Sequence, residues 1–503
     1  MTATPPYPEP GEGPRAWAPA AQPPPWAPVA AVRPAPPTVA HQHQWAQYHA
    51  LGWRPAGPPP RRGRAGWIAF ALAVLVGVLL VPVAAARDRH PVSGAAGPSG
   101  QAAPPAGGQG GGQPPSHEFT TSDVHDLLDR YAGALTHRDR RTFLAQLDTG
   151  NKALATAQRR LFDNLRQLDL ATVKFVVVDT SLPQPDLAHP GRYTAGWAEA
   201  WRQLQIRGID PVPGAQYFRI RLSVATDHLV IAGVAPAAGA ASNRQPSPWD
   251  ASVLRVVRGR SVVVAGTADV AGRLGDVLQA AEAAIADAGP CWPASWQHTF
   301  TIFATGDRKA FSTWFRSKFT NTEFIGFEVG LPVVGDDGRV VSGREDDVPQ
   351  VVIDVPGALR APLGFRQLLE HEMTHAASGA ERNADTETWA IEGYADFVAF
   401  HNGTLRQANR GGTAYRTYHS RGGLTVRLPA NPDFYGRNAA LNYDLAFLAF
   451  WYLRQKYGQA AVISFFAAAN QQGNAASLLQ QRFHVTTQQF VSDWAKWTFS
   501  QLR

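Results

Sequence analysis

Between residues 363 and 400 the chain gathers side chains that could do chemistry together: His371, Glu372 and His375 in one run, then Glu392 and Asp396. The run His371-Glu372-Met373-Thr374-His375 sets two imidazoles four residues apart. On a helix that spacing puts both rings on one face, where they can point at a single ion. Neutral imidazole is a good zinc ligand. Glu372, one position on from His371, is carried beside the ion without having to bind it, and from there its carboxylate can take a proton from water. Phe365, Leu368 and Leu369 give the helix an apolar side, and Pro362 and Gly364 mark its start. A catalytic zinc needs a third protein ligand and an open fourth position. Glu392 is the candidate, with Glu381 as a minor rival. Asp396 stands four residues beyond Glu392, on the same helical face.

The run from Trp389 to Asp396, WAIEGYAD, resembles the WxxEGxA signature of the gluzincin zinc peptidases, a group that includes the M1 aminopeptidase-like enzymes. The resemblance implies that Glu392 is the third zinc ligand, on the helix after the HExxH helix, with a more compact loop between the two than in M1 enzymes. It also implies that Asp396 holds a ligand histidine from behind, as a carboxylate at that offset does in thermolysin-like enzymes. Helical geometry agrees, because a metal-bound imidazole wants an acceptor for its other N–H. The stretch Asn442–Gly458 is similar to the YxxAxxFxxYL…YG helix of peptidase-MA-like domains. There the leading tyrosine faces the zinc and can donate to an oxyanion. That position falls on Tyr443, with Tyr435 as the competing candidate. The metzincin pattern would place glycine and histidine where this chain has Ser378 and Glu381. The GxMEN segment of M1 aminopeptidases is also missing, because IGFEVG at 325–330 lacks its Met-Glu-Asn core. The resemblance therefore leans towards an endopeptidase and spans about residues 270–503.

These side chains must be held by a fold, and the patterning predicts α+β. Folded sequence begins near Phe119. Val124, Leu127, Leu128, Tyr131 and Leu135 recur at helical spacing, with Ser122 placed to cap the start, and a second helical pattern covers 151–168. Five β-rich runs follow, from VKFVVVD to SVVVAGTAD. Helices followed by a meandering antiparallel sheet resemble the nuclear-transport-factor-2-like superfold, which assigns no function by itself. His125, His137 and His228 are scattered through this region as surface or packing residues. A long helix over 271–288, three strand-like runs and then mostly helical sequence from Pro362 give the element order of a zincin catalytic domain. The expected division is thus an α+β domain over 117–270 and a zinc peptidase domain over 271–503. The helix that opens at Asn442 reads as amphipathic.

The remainder of the 503 residues is not globular in pattern. Residues 1–64 form a Pro/Ala-rich tail, in which proline removes backbone donors. Trp67–Ala86 is an unbroken apolar run, long enough at about 1.5 Å per residue to cross the roughly 30 Å hydrocarbon layer. Arg61, Arg62 and Arg64 precede it, which predicts a cytoplasmic tail and an exported body on an uncleaved single-pass anchor. The VAAA that ends the run is the feature a cleaved signal peptide would share. Residues 87–116 are a Gly/Pro linker. The net charge is +7, with no basic face interleaved with aromatics, so no nucleic-acid partner is expected. Cys291 is the only cysteine, which excludes an intramolecular disulfide and a thiolate metal cluster. The weighting towards Ala, Arg, Gly and Pro fits a GC-rich bacterial genome. The expected function is a membrane-anchored, extracytoplasmic zinc metallopeptidase acting on peptide or protein substrates. Its rivals are an M1-type aminopeptidase and a non-catalytic surface protein with a retained zincin fold. An intramembrane protease is disfavoured, because the motif lies in polar sequence.

Overall fold

The computed structural model describes residues 118–189, 192–237, 244–316, 324–361, 364–405 and 412–502. The expected tail (1–64), apolar span (67–86) and linker (87–116) lie outside these residues, as does Pro362. Among the described residues no helix is long and apolar enough to cross a membrane.

The fold is α+β. It opens with α1 (Thr121–Thr136), α2 (Arg140–Ala145) and α3 (Lys152–Leu165). The cap of α1 is Thr120 rather than Ser122. Thr120 accepts from the Asp123 amide while the Asp123 carboxylate accepts from the Thr120 amide at 2.7 Å, a reciprocal pair that Ser122 cannot form from inside the helix. Four strands follow: β1 (Leu170–Ser181), β2 (Gly196–Ile206), β3 (Gly214–Ala225) and β4 (His228–Pro236). They pair in sequence order as an antiparallel meander.

After the short α4 (Pro248–Ala251) come β5 (Leu254–Arg258) and β6 (Val262–Thr267). The sequence pattern grouped these two runs with the meander. They belong instead to a second sheet, with β7 (Phe300–Thr305), β8 (Gly326–Leu331) and β9 (Val348–Asp354), in the order β5-β6-β7-β9-β8. The crossover helix α5 (Leu274–Ala288) carries the chain from β6 to a parallel partner, β7. The break between sheets therefore falls between Pro236 and Leu254, ahead of β5 and β6. β8 is antiparallel to β9 and forms an edge.

The second sheet is buried on both faces, and its alternation divides two cores. Val263, Ala265, Phe303 and Val352 pack with Leu127, Phe143 and Trp249 from the first region. Val262, Val264, Ile302 and Val351 pack against the helical side. The loop between β8 and β9 also reaches across to the meander. Pro332 and Val334 carbonyls accept from Ala215 N (2.9 Å) and Gln203 Nε2 (2.7 Å), and Gly338 O accepts from Trp201 Nε1 (3.0 Å).

The short α6 (Arg308–Thr313) puts Ala310 and Phe311 into the core shared with the first region, while the helical side comprises α5, α7 (Val355–Arg360), α8 (Phe365–Gly379), α9 (Thr388–Phe400), α10 (Gly412–Arg421), α11 (Ala439–Tyr457), α12 (Gln459–Gln472), α13 (Ala475–Phe483) and α14 (Thr487–Leu502). α11 is not amphipathic. Asn442 through Leu453 are all buried, because α9, α10, α12 and α14 surround it. Gly393 lets α9 and α11 approach, since a Cβ there would stand 2.6 Å from Ala446 O.

Candidate metal centre

α8 carries His371, Glu372 and His375, and it packs on α5, α9, β8 and β9. It starts at Gly364, whose φ of 90° suits glycine. α9 carries Glu392 and Asp396. The short loop between these helices is pinned from α12. Asn383 N donates to Asn470 O at 2.7 Å, and Asn470 Nδ2 donates to Ser378 O at 2.8 Å. Tyr394 stacks on Phe466 with ring centroids 4.0 Å apart and donates to the Cys291 carbonyl, which fixes α9 against the rest of the core.

Three donor atoms converge between the helices. His371 Nε2 and His375 Nε2 are 3.0 Å apart, and Glu392 Oε2 lies 3.3 Å from the first and 3.4 Å from the second. A tetrahedral zinc with bonds of about 2.0–2.1 Å holds its ligand atoms about 3.3 Å apart. The triangle fits that ion, with the fourth vertex left to the cavity. Glu392 Oε2 is buried and accepts no hydrogen bond. A buried carboxylate oxygen without a donor is costly, and an ion at the centre of the triangle satisfies it. The other oxygen is fixed, because Tyr435 Oη donates to Glu392 Oε1 at 2.5 Å. Behind the triangle, Asp396 Oδ1 accepts from His371 Nδ1 at 3.0 Å. That bond fixes the tautomer that turns Nε2 towards the centre.

Glu372 lies beside the triangle in a cavity of about 190 Å³ that Gly326, Glu328, Arg382, Tyr435 and Tyr443 also line. A Cβ on Gly326 would sit 2.8 Å from Glu372 Oε1, so the glycine of the edge strand makes room for this carboxylate. Burial pushes the Glu372 carboxyl up to about 8, with Glu392, Glu328 and Asp396 adding to the shift and His371 opposing it. A carboxyl raised this far suits a proton acceptor working near neutrality. Burial would lower His371, but Asp396 and Glu392 outweigh it and raise the imidazole to about 10. His375 is lowered, chiefly by burial. Burial would raise Glu392, yet the two imidazoles hold it well below the usual carboxylate range. The raised His371 and the lowered Glu392 have one cause, the close approach of carboxylate and imidazole at the triangle.

The structure brings His371, Glu372, His375, Glu392, Asp396, Tyr435 and Tyr443 together. It keeps Glu381 out: its Oε2 accepts from Trp296 Nε1 (3.0 Å) and Gln471 Nε2 (2.9 Å), away from the triangle. His137 and His228 are exposed, with partners Gly133 O and Asp227, and belong to no cluster. Sequence reasoning missed Gly326, Glu328 and Arg382 as cavity residues. The signal in the sequence is the IGFEVG run, whose two glycines and single acid break the alternation of an ordinary apolar strand. Compared with protein-family models and with curated proteins, the chain matches none, so what the site does must be read from its own atoms.

Proposed function

We propose that the chain is a zinc metallopeptidase of the gluzincin kind, with a zincin-like catalytic part preceded by a nuclear-transport-factor-2-like one. The observation that carries this reading is the triangle of His371, His375 and Glu392, with an orphaned carboxylate oxygen at one corner. Zinc bound there would lower the pKa of a water and polarise a scissile carbonyl. Glu372 takes the proton from the attacking water and hands it to the leaving amine. Tyr443 donates to the oxyanion as it develops. Tyr435 orients Glu392, because its hydroxyl occupies Oε1 and leaves Oε2 for the ion. Asp396 keeps His371 in register. The cavity continues along an edge strand into a second one, which suits a chain passing through and supports endopeptidase action. For the whole chain we propose a single-pass membrane protein with residues 1–64 in the cytoplasm and the catalytic part outside.

The test is Glu372→Gln, nearly isosteric and unable to act as the base. The variant should retain one zinc per chain and the wild-type melting midpoint while losing hydrolysis of a peptide library. A zinc-loaded Glu372→Gln protein that still cleaves peptides overturns the mechanism.

A further inference from the structure

Beside the metal triangle the cleft holds a second acid that the reaction does not use. Glu328 stands two residues after Gly326 on β8. Residues at that spacing share one face of a strand, about 6.6–6.8 Å apart. Gly326 faces Glu372, and Glu328 Oε1 lies 3.7 Å from where a Cβ on Gly379 would stand, so Glu328 lies over the C-terminal end of α8. Phe327 and Val329, on the other face, enter the apolar core. The Glu328 side chain is only 10 % exposed, yet its carboxylate makes no hydrogen bond among the described residues. The one cation within 4 Å of it among the described residues is Arg382 Nη1, at 3.7 Å, beyond hydrogen-bonding distance. Arg382 is engaged elsewhere, since its Nη2 donates to His375 O at 2.8 Å.

Glu328 lines both the metal cavity and an adjoining one of about 560 Å³, which share Phe327, Arg382 and Ile391 as well. In the adjoining cavity Asp346 is paired with Arg244 (3.0 Å) and Asp347 with Arg344, while Glu345 pairs with no cation among the described residues. In the metal cavity Glu328 and Glu372 stand beside the triangle, and Arg382 is the guanidinium that lines the cavity with them among the described residues. A nearly buried carboxylate that no donor reaches among the described residues, at the junction of two cavities, is complementary to a cation on the ligand.

We propose that Glu328 is a specificity-determining residue of this cleft, receiving the ammonium or guanidinium of a Lys or Arg side chain next to the scissile peptide bond. The proposal rests on the peptidase reading. It assigns the cation to a side chain because the cleft continues past Glu328 into the larger cavity, so the substrate chain need not end there. A charge-assisted hydrogen bond in a desolvated site is strong enough to set a preference of about 10- to 100-fold.

The experiment uses the full-length zinc-loaded protein and N-acetylated fluorogenic peptides that differ only in Lys, norleucine or Glu beside the cleaved bond. Wild type should favour Lys over norleucine by about 10- to 100-fold in kcat/KM, and Glu328→Gln should collapse that ratio to within about threefold. Zinc content and melting midpoint serve as controls for folding. A second arm measures binding of the same labelled peptides to Glu372→Gln with and without Glu328→Gln, where the Lys preference should vanish in the double variant. The inference is overturned if wild type shows no charge preference, or if the ratio survives Glu328→Gln. It is overturned equally if the preference appears only for peptides with a free N-terminal amine, because the cation is then the chain end. If wild type cleaves no peptide at all, the peptidase reading fails, and the binding arm still decides the charge preference.

Discussion

Both halves of this molecule bury charged and polar side chains, but they treat them differently. In the first region Arg202 of β2 is buried and fully engaged. It donates to Asp250 at 2.9 and 2.7 Å and to Gln216 at 3.1 Å, and Ser247 Oγ donates to the same Asp250 carboxylate. Tyr131 Oη donates to Gln158. Asp210 Oδ1 and Arg244 Nε lack such partners, and burial pushes the Asp210 carboxyl up to about 7, so below that pH it is held protonated and neutral. In the second region three donors converge on a point between them, and an oxygen of Glu392 accepts nothing from the protein. A closed network holds a fold together, whereas a convergent and unsatisfied one is shaped for a ligand.

This contrast can be broken experimentally. The largest effect is expected at Glu392→Ala, which removes one corner of the triangle. Zinc affinity should fall by more than the 10- to 100-fold typical of a supporting residue, while the melting curve of the zinc-free protein stays near that of wild type. Unchanged stoichiometry in a metal titration would show that the ion, if bound, uses other ligands. Asp250→Ala should do the reverse. Leaving Arg202 buried and unpaired should cost about 3–5 kcal/mol of stability by denaturant unfolding, with zinc content unaltered below the transition. If the variant stays stable but loses zinc, the two networks are not separate.

Tyr443→Phe keeps the ring and its packing on Phe434, where the centroids are 5.0 Å apart. It should lower kcat about 10²- to 10³-fold, roughly 3–4 kcal/mol, with little change in KM. Tyr435→Phe should act on zinc affinity instead, and steady-state kinetics that reverse the two outcomes would exchange the roles of the tyrosines. The smallest effect is expected at Asp396→Asn, a 10- to 100-fold loss of zinc affinity in a competition assay with a chromophoric chelator.

The centre of the site was legible in the sequence because its spacing is local. His371 and His375 are one turn apart on one helix, as are Glu392 and Asp396 on the next, so the 3.6-residue period sets their geometry before any tertiary contact is known. The cavity wall was not legible, because Glu328 and Arg382 meet through the pairing of β8 with β9 and the fold of the inter-helix loop. Strand runs also do not announce their partners. Val262–Thr267 reads as well in a meander as in the parallel pair it makes with β7, because a strand buried on both faces is simply apolar throughout. The amphipathic reading of α11 failed for a related reason: Asn442 and Asp444 look solvated in sequence, but each has its partners inside. Asn442 Nδ2 donates to Phe434 O, and Asp444 Oδ2 accepts from Thr413 N.

The two-faced second sheet has a consequence for how such a chain can be rearranged in evolution. Residues 271–503 hold every ligand of the triangle, yet they cannot be inherited alone as a module. A gene fusion that moved them without their upstream neighbour would lose β5 and β6 from the sheet and uncover Phe303 and Val352. It would also free the loop whose carbonyls at Pro332, Val334 and Gly338 are held by Ala215, Gln203 and Trp201. That loop leads directly from the edge strand carrying Gly326 and Glu328. The first region thus travels with the second as its other half. Lineages that shuffle this fold should be found exchanging the segment from about residue 118 onward as a single piece.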